Sequence, residues 1–118
     1  MDMQNTVVTI GTAAFGEANM TNQRERALRF LEEALELCQS VGLDQDDIAT
    51  VCLYVYGRPI ETNIGKELGG TLVTLFALAD AHKQDLLSDG WVEIRRVAGR
   101  LHAAGEKHKN KPSEIKAA

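Results

Sequence analysis

Three glutamates stand close together in one predicted helix: Glu32, Glu33 and Glu36. Steps of three and four residues place them on adjacent turns, over a limited arc of the helix surface. Like charges at these spacings destabilise a helix by roughly 0.2–0.5 kcal/mol a pair, and a divalent cation would compensate for this. Because magnesium takes oxygen ligands together with waters and substrate phosphates, the cluster predicts metal-dependent phosphate chemistry. The alternative is a solvated acidic surface, partly neutralised by Arg29.

A fourth glutamate, Glu67, lies on another predicted helix and is followed by Gly69 and Gly70 in an otherwise apolar segment. Glycine inside a helix costs roughly 1 kcal/mol relative to alanine, so the pair needs a structural reason. Close approach of a neighbouring helix or of a ligand would supply one, and both explanations stay open. Either would place Glu67 near a packed interface.

Amphipathic helices with short connections must position these residues, which predicts an all-α fold resembling a four-helix bundle. The expected helices are Gln23 to Val41, a shorter one that starts around Asp44 to Asp47 and ends before the break at Gly57 and Pro59, Asn63 to Ala81, and about Gln84 or Ser88 to Lys107. The shorter helix is expected to bury Ile48, Val51, Cys52 and Val55, and the one after it Ile64, Leu68, Leu72, Leu75 and Ala79. Upstream of them, the β-like run from Thr6 to Ile10 and the small residues around it predict an irregular arm.

Length and composition indicate one globular domain, with 118 residues, 44% hydrophobic and 25% charged. The expected division is an arm over 1–20, a helical domain over 21–109 and a flexible basic tail over 110–118. Cys38 and Cys52 lack the CxxC spacing of metal or redox sites and are expected to be core thiols. No signal peptide and no apolar run of transmembrane length is visible, so we expect a cytoplasmic protein.

Two segments resemble a known family: Arg29-Phe-Leu-Glu-Glu-Ala-Leu-Glu36 and Lys66-Glu-Leu-Gly-Gly-Thr-Leu-Val-Thr-Leu75. They are similar to the MazG-like all-α nucleotide pyrophosphohydrolases, which pair an EExxE helix motif with a downstream ExxD. Glu32, Glu33, Glu36 and Glu67 match four of the acidic positions, and Gly70 stands at the fifth. With Phe15-Gly16 and Tyr54-Val-Tyr-Gly-Arg-Pro59, the likeness is closest to a phage and bacterial branch in which glycine is common at that position, and it spans residues 15–109.

The resemblance implies a helical bundle that assembles as a homodimer or a dimer of dimers. It implies magnesium, with manganese as an alternative, held by Glu32, Glu33, Glu36 and Glu67. The implied reaction is hydrolysis of a nucleoside or deoxynucleoside triphosphate to the monophosphate and pyrophosphate, with a carboxylate accepting the proton of the attacking water. Candidates for binding the phosphates are Arg29, Arg58, Lys66, Arg95 and Lys107. Equally, Arg29 could pair with Glu33, Arg58 could orient the loop beside Pro59, and Lys66 could face solvent.

Two other functions stay open at this point. A non-catalytic helical module that binds nucleotides or a protein partner would account for Gly70 at the aspartate position. Nucleic-acid binding through the basic C-terminal region ranks lowest, because the net charge is -4 and no recognition motif is evident. His82, His102 and His108 lack the compact spacing of a metal site, and surface roles are expected for them.

Overall fold

The computed structural model describes residues 2–100, and every regular element in that range is an α-helix. The helices are α1 (Met3–Phe15), α2 (Glu17–Met20), α3 (Gln23–Ser40), α4 (Gln45–Tyr56), α5 (Ile64–Ala81) and α6 (Leu86–Ala98). The predicted all-α class is therefore confirmed. The described chain divides into a first unit, residues 2–33 with 87–100, and a second unit, residues 34–86. None of the described helices is long and apolar enough to cross a membrane.

The N-terminal segment corrects the sequence prediction, because the β-like run from Thr6 to Ile10 lies inside helix α1. Asp2 caps this helix by accepting a hydrogen bond from the backbone N–H of Asn5 at 2.8 Å. The Thr6 hydroxyl donates to the Asp2 carbonyl at 2.7 Å, so this β-branched side chain supports the helical turn. A local cap thus outweighs the weak strand propensity of the residues that follow.

Helix α3 begins and ends as predicted, within one residue. The Asn22 side chain caps its start by accepting from the Glu25 backbone N–H at 3.0 Å. At the other end Gly42 adopts φ +100°, a left-handed conformation that glycine reaches without strain. Leu43 N–H donates to the Cys38 carbonyl at 3.0 Å, which closes the paired hydrogen-bond motif typical of helix C-termini.

The starts of α4 and α5 are also confirmed, and each depends on a side-chain cap. At α4, Asp44 and Asp47 each accept a hydrogen bond from the other's backbone N–H at 2.9 Å, forming a capping box. At α5, Asn63 accepts from the Lys66 backbone N–H at 3.0 Å. Helix α6 begins between the two expected starting points, and the part of its expected span beyond residue 100 lies outside the described residues.

The predicted burial of the α4 and α5 apolar stripes is wrong for this chain on its own. In α4, Ile48 is half-buried, whereas Val51, Val55 and the expected core thiol Cys52 are exposed. In α5, Leu75 and Ala79 are half-buried, and Ile64, Leu68 and Leu72 are exposed. Among residues 2–100 no hydrophobic side chain is fully buried. The predicted helices are present, but no other part of the described chain covers these faces.

The turn after α5 holds a residue in an unfavourable conformation. Lys83 has φ +57°, in the left-handed region that costs a side chain with a Cβ free energy. Hydrogen bonds from Lys83 N–H to the Asp80 carbonyl and from Gln84 N–H to the Ala79 carbonyl, at 3.0 and 2.9 Å, hold it there. Lys83 therefore occupies the position that Gly42 occupies after α3.

Replacing Lys83 with glycine should raise the free energy of unfolding by up to about 1 kcal/mol, because glycine removes the left-handed strain. Thermal unfolding, monitored by circular dichroism, measures the change. Gly42→Ala is the reciprocal variant and should lower the melting temperature. A Lys83→Gly protein that melts below the wild type would contradict the strain assignment.

The loop before α5 is held by Glu61. Its carboxylate accepts from the Asn63 backbone N–H at 3.0 Å and forms an ion pair with Lys66 Nζ at 3.2 Å. The backbone hydrogen bond first, and then the Lys66 ammonium, lower the pKa of Glu61 below its usual value. Because the folded pKa is the lower one, this contribution to stability is present above the unfolded pKa and is lost as pH falls through the folded pKa.

We expect carbon-detected NMR to show Glu61 titrating at lower pH in the folded protein than in the urea-unfolded chain. Lys66→Met should make that difference smaller without abolishing it, since the hydrogen bond from Asn63 remains. Equal titration midpoints in the folded and unfolded states would show that these contacts are not maintained in solution.

Candidate functional site

A cavity of about 350 Å³ lies in the first unit and is lined by residues of α1, α3 and α6 together with Met20. Its apolar lining consists of Val7, Ile10, Gly11, Phe15, Met20, Ile94 and Val97. Its charged lining consists of three arginines and three glutamates: Arg26, Arg29, Arg96, Glu32, Glu33 and Glu93. This volume falls within the usual range for small-molecule sites, and the lining offers both carboxylate oxygens and guanidinium donors.

The apolar side of the cavity depends on close packing between α1 and α2, which contact each other. Gly11 is buried, and a Cβ added there would come within 2.5 Å of Met20 Cε. Glycine therefore lets the Met20 side chain lie directly against the α1 backbone. This packing explains why α1 is part of the site although the sequence predicted an arm.

Arg29 links two of the glutamates on α3. Its guanidinium forms ion pairs with Glu25 at 3.7 Å and with Glu32 at 3.4 Å, one turn away on either side. The Glu25 side chain is 9% exposed and that of Arg29 15%, so both charges are largely removed from water. Arg29 is therefore a fixed part of the acidic cluster, and it orients Glu32.

Arg26 connects α3 to α2. Its guanidinium donates to the Asn19 side-chain oxygen at 2.5 Å and to Met20 Sδ at 3.6 Å. Burial lowers the pKa of Arg26, the charge of Arg29 lowers it further, and Glu25 opposes both. Its Nε–H is buried and has no hydrogen-bond acceptor within residues 2–100. A buried donor without an acceptor is costly, so an anion here would be stabilised.

Arg96 extends the charged lining onto α6. It forms a two-point ion pair with Glu93, one bond of which joins Nε to a carboxylate oxygen at 2.9 Å. Hydrogen bonding to Glu93 raises the pKa of Arg96, and the charges of Glu93 and Glu33 raise it further. Arg96 therefore lies in the field of glutamates from both α6 and α3.

The other predicted site residues lie elsewhere in the described chain. Glu36 is exposed on α3 within the second unit, and Glu67 is exposed in the first turn of α5. Among the candidates for binding phosphate, Arg58 stacks over the Tyr54 ring with its Cζ 4.5 Å from the centroid, and Lys66 pairs with Glu61. Arg95 is exposed on α6. Lys107 lies outside the described residues, as do His102 and His108.

The charged lining of the cavity includes carboxylates, the group that a divalent cation would need. Glu32, Glu33 and Glu93 supply carboxylate oxygens, the ligands that this ion prefers. Within residues 2–100 no three His, Cys, Asp or Glu side chains are grouped to hold a metal ion. Magnesium commonly binds through one or two carboxylates and completes its shell with water and substrate phosphates. Within residues 2–100 the lining therefore supplies carboxylate oxygens that could serve as ligands, without a grouped metal site.

Sequence reasoning missed Arg26, Glu93 and Arg96 as lining residues. A usable signal was present, because Glu93 and Arg96 are three residues apart and share a helix face with Ile94 and Val97 on the amphipathic α6. Arg95 was selected instead, one residue from Arg96 and therefore about 100° away around the helix. No signal of this kind pointed to α1, since its part in the site depends on tertiary packing.

No family model, no curated protein and no solved structure matches this chain.

Removing the Arg29 side chain should destabilise the protein by about 3 kcal/mol, since it takes an ion-pair partner away from the largely buried Glu25 carboxylate. Arg29→Met should lower the free energy of unfolding by nearly as much, because it removes the guanidinium although it keeps most of the aliphatic stem. Arg95→Ala is the matched control on an exposed arginine and should change stability by less than about 0.5 kcal/mol. Urea unfolding measures all three, and equal midpoints for Arg29→Ala and Arg95→Ala would refute the structural role of Arg29.

Proposed function

We propose that this protein is a magnesium-dependent hydrolase that converts nucleoside or deoxynucleoside triphosphates to the monophosphate and pyrophosphate. The proposal includes a MazG-like bundle fold, assembly of the chain with copies of itself and a cytoplasmic location. The resemblance of the Arg29–Glu36 and Lys66–Leu75 segments to that family motivates it.

One structural observation gives the proposal most of its support: Glu32 and Glu33 line the same cavity as Arg26, Arg29 and Arg96. Carboxylates suit a hard divalent cation and guanidiniums suit phosphate oxygens, so triphosphate chemistry uses both groups in one place. The adjoining apolar lining offers a surface for a base or sugar. A purely solvated acidic helix face would need neither the arginines nor the cavity.

In the proposed mechanism Glu32 and Glu33, which line the cavity, would bind magnesium. The resemblance also implies Glu36 and Glu67 as ligands. Magnesium, when bound, supplies positive charge against the phosphates and makes water more acidic. Arg26, whose Nε–H lacks an acceptor in the described chain, would donate to a phosphate oxygen. Arg96 would add charge opposite Glu33. One glutamate would accept the proton of the attacking water.

Purified protein with magnesium should release pyrophosphate from at least one member of a panel of the common ribo- and deoxyribonucleoside triphosphates. Glu33→Gln and Glu36→Gln should each lower that rate by about 100-fold or more, because each removes a negative oxygen ligand while keeping its shape. Glu17→Gln, an exposed glutamate on α2, is the matched control and should leave the rate unchanged. Full activity in both site variants would refute the assigned residues.

The second candidate is a non-catalytic nucleotide-binding module, favoured by Gly70 standing where the wider family has aspartate. Calorimetry with a slowly hydrolysed triphosphate analogue separates the two. Binding of the analogue that Arg26→Ala weakens, without pyrophosphate release from any natural triphosphate, would favour the module. Release that chelation of magnesium abolishes would favour the enzyme.

A further inference from the structure

The thioether of Met20 is a reactive group at the cavity that the proposed reaction does not use. Met20 lines the cavity and is half-buried, so a solute as small as hydrogen peroxide can reach its side chain. Methionine sulfur is oxidised to a sulfoxide, which converts a flexible apolar side chain into a polar and chiral one. The groups that surround Met20 therefore decide where an added oxygen is placed.

The backbone of α1 covers one side of the Met20 thioether. A Cβ added at Gly11 would lie 2.6 Å from Met20 Sδ and 2.5 Å from Met20 Cε. An oxygen added to the sulfur on this side would therefore collide with α1. Met3 provides a comparison, because a Cβ added at its neighbour Gly90 would be 3.5 Å from Met3 Sδ and 3.3 Å from Met3 Cε. Crowding by a helix backbone is thus stronger at Met20 than at Met3.

Arg26 contacts the same sulfur as a hydrogen-bond donor. Its Nη1 donates to Met20 Sδ at 3.6 Å, and its Nη2 donates to the Asn19 side-chain oxygen at 2.5 Å. Its Nε–H is buried and has no hydrogen-bond acceptor in the described part of the chain. A thioether sulfur is a weak acceptor, whereas a sulfoxide carries a polar oxygen. An oxygen added on this side would therefore give the guanidinium a better acceptor.

We propose that Met20 is a site of oxidative modification: hydrogen peroxide adds one oxygen to Sδ on the side of Arg26, and this oxygen then accepts a hydrogen bond from the guanidinium. An electron pair of the sulfur forms the new sulfur–oxygen bond while the oxygen–oxygen bond of the peroxide breaks. The proton on the transferred oxygen passes to the departing oxygen, which leaves as water. The sulfur is oxidised and the peroxide is reduced. Arg26 keeps its protons throughout and donates a hydrogen bond to the departing oxygen.

The modification acts on the cavity through Arg26. A guanidinium that donates to the sulfoxide oxygen has fewer donors left for an anion in the cavity. Because dedicated reductases return methionine sulfoxide to methionine, the change is reversible. The effect on phosphate binding rests on the proposed function, but the oxidation, its stereochemistry and the hydrogen bond to Arg26 do not. Stereochemistry and proton exchange therefore test the modification whether or not the protein releases pyrophosphate.

Oxidation of the folded full chain with dilute hydrogen peroxide should give predominantly one sulfoxide epimer at Met20, because α1 blocks the other position of the oxygen. Cleavage after Glu17 and Glu25 releases a peptide in which Met20 is the only methionine. Treatment with two reductases, each specific for one epimer, followed by mass spectrometry gives the epimer ratio. Protein oxidised in urea is the control and should yield similar amounts of both. A ratio at Met20 that matches the ratio in urea or at Met3 would overturn the proposal, as would the absence of Met20 sulfoxide before urea is added.

NMR of the arginine side-chain N–H groups tests the hydrogen bond to Arg26. After oxidation the guanidinium protons of Arg26 should exchange with solvent severalfold more slowly, because they gain a strong acceptor, whereas those of the exposed Arg95 should not change. Met20→Leu lacks the sulfur but keeps Cys38 and Cys52, so it controls for oxidation of the thiols and should show no slowing. Unchanged exchange at Arg26 in the oxidised wild type, or equal slowing in Met20→Leu, would refute the assigned hydrogen bond.

Discussion

The ion pairs of Arg29 with Glu25 and Glu32 are the interaction on which the charged part of the first unit depends. Three glutamates within one helix, Glu25, Glu32 and Glu33, would repel one another on their own. The guanidinium of Arg29 offsets this repulsion by pairing with the carboxylates one turn before and one turn after it. Because the Glu25 carboxylate and the guanidinium are mostly removed from water, the pair is less screened by salt than a surface ion pair. Glu32 therefore sits at the cavity in an orientation that does not need a ligand.

Local rules predicted most of the helices, because their ends are encoded by short-range contacts. Asn22, Asp44 and Asn63 each cap a helix through a backbone N–H three residues further on. Gly42 ends α3 through its left-handed backbone. The same rules failed at α1, because the run from Thr6 to Ile10 resembles a strand although Asp2 provides a helix cap.

The sequence predicted only some residues of the candidate site, for a different reason. Glu32 and Glu33 could be selected because they stand next to each other in a motif. Arg26 and Glu93 meet them only after α3 and α6 have folded into one unit, and no local spacing contains that information. Burial was predicted least well: the apolar stripe of α5 indicates which face avoids water, and does not indicate which molecule covers it.

The side-chain caps also bear on how the chain folds. Each cap joins residues three positions apart, so it can form while the rest of the chain is still open. Helix formation of this kind takes on the order of a microsecond, far less than the association of separate elements. The helix boundaries are therefore established early, and a substitution at Asp44 or Asn63 would shift where a helix begins while leaving its apolar surface unchanged.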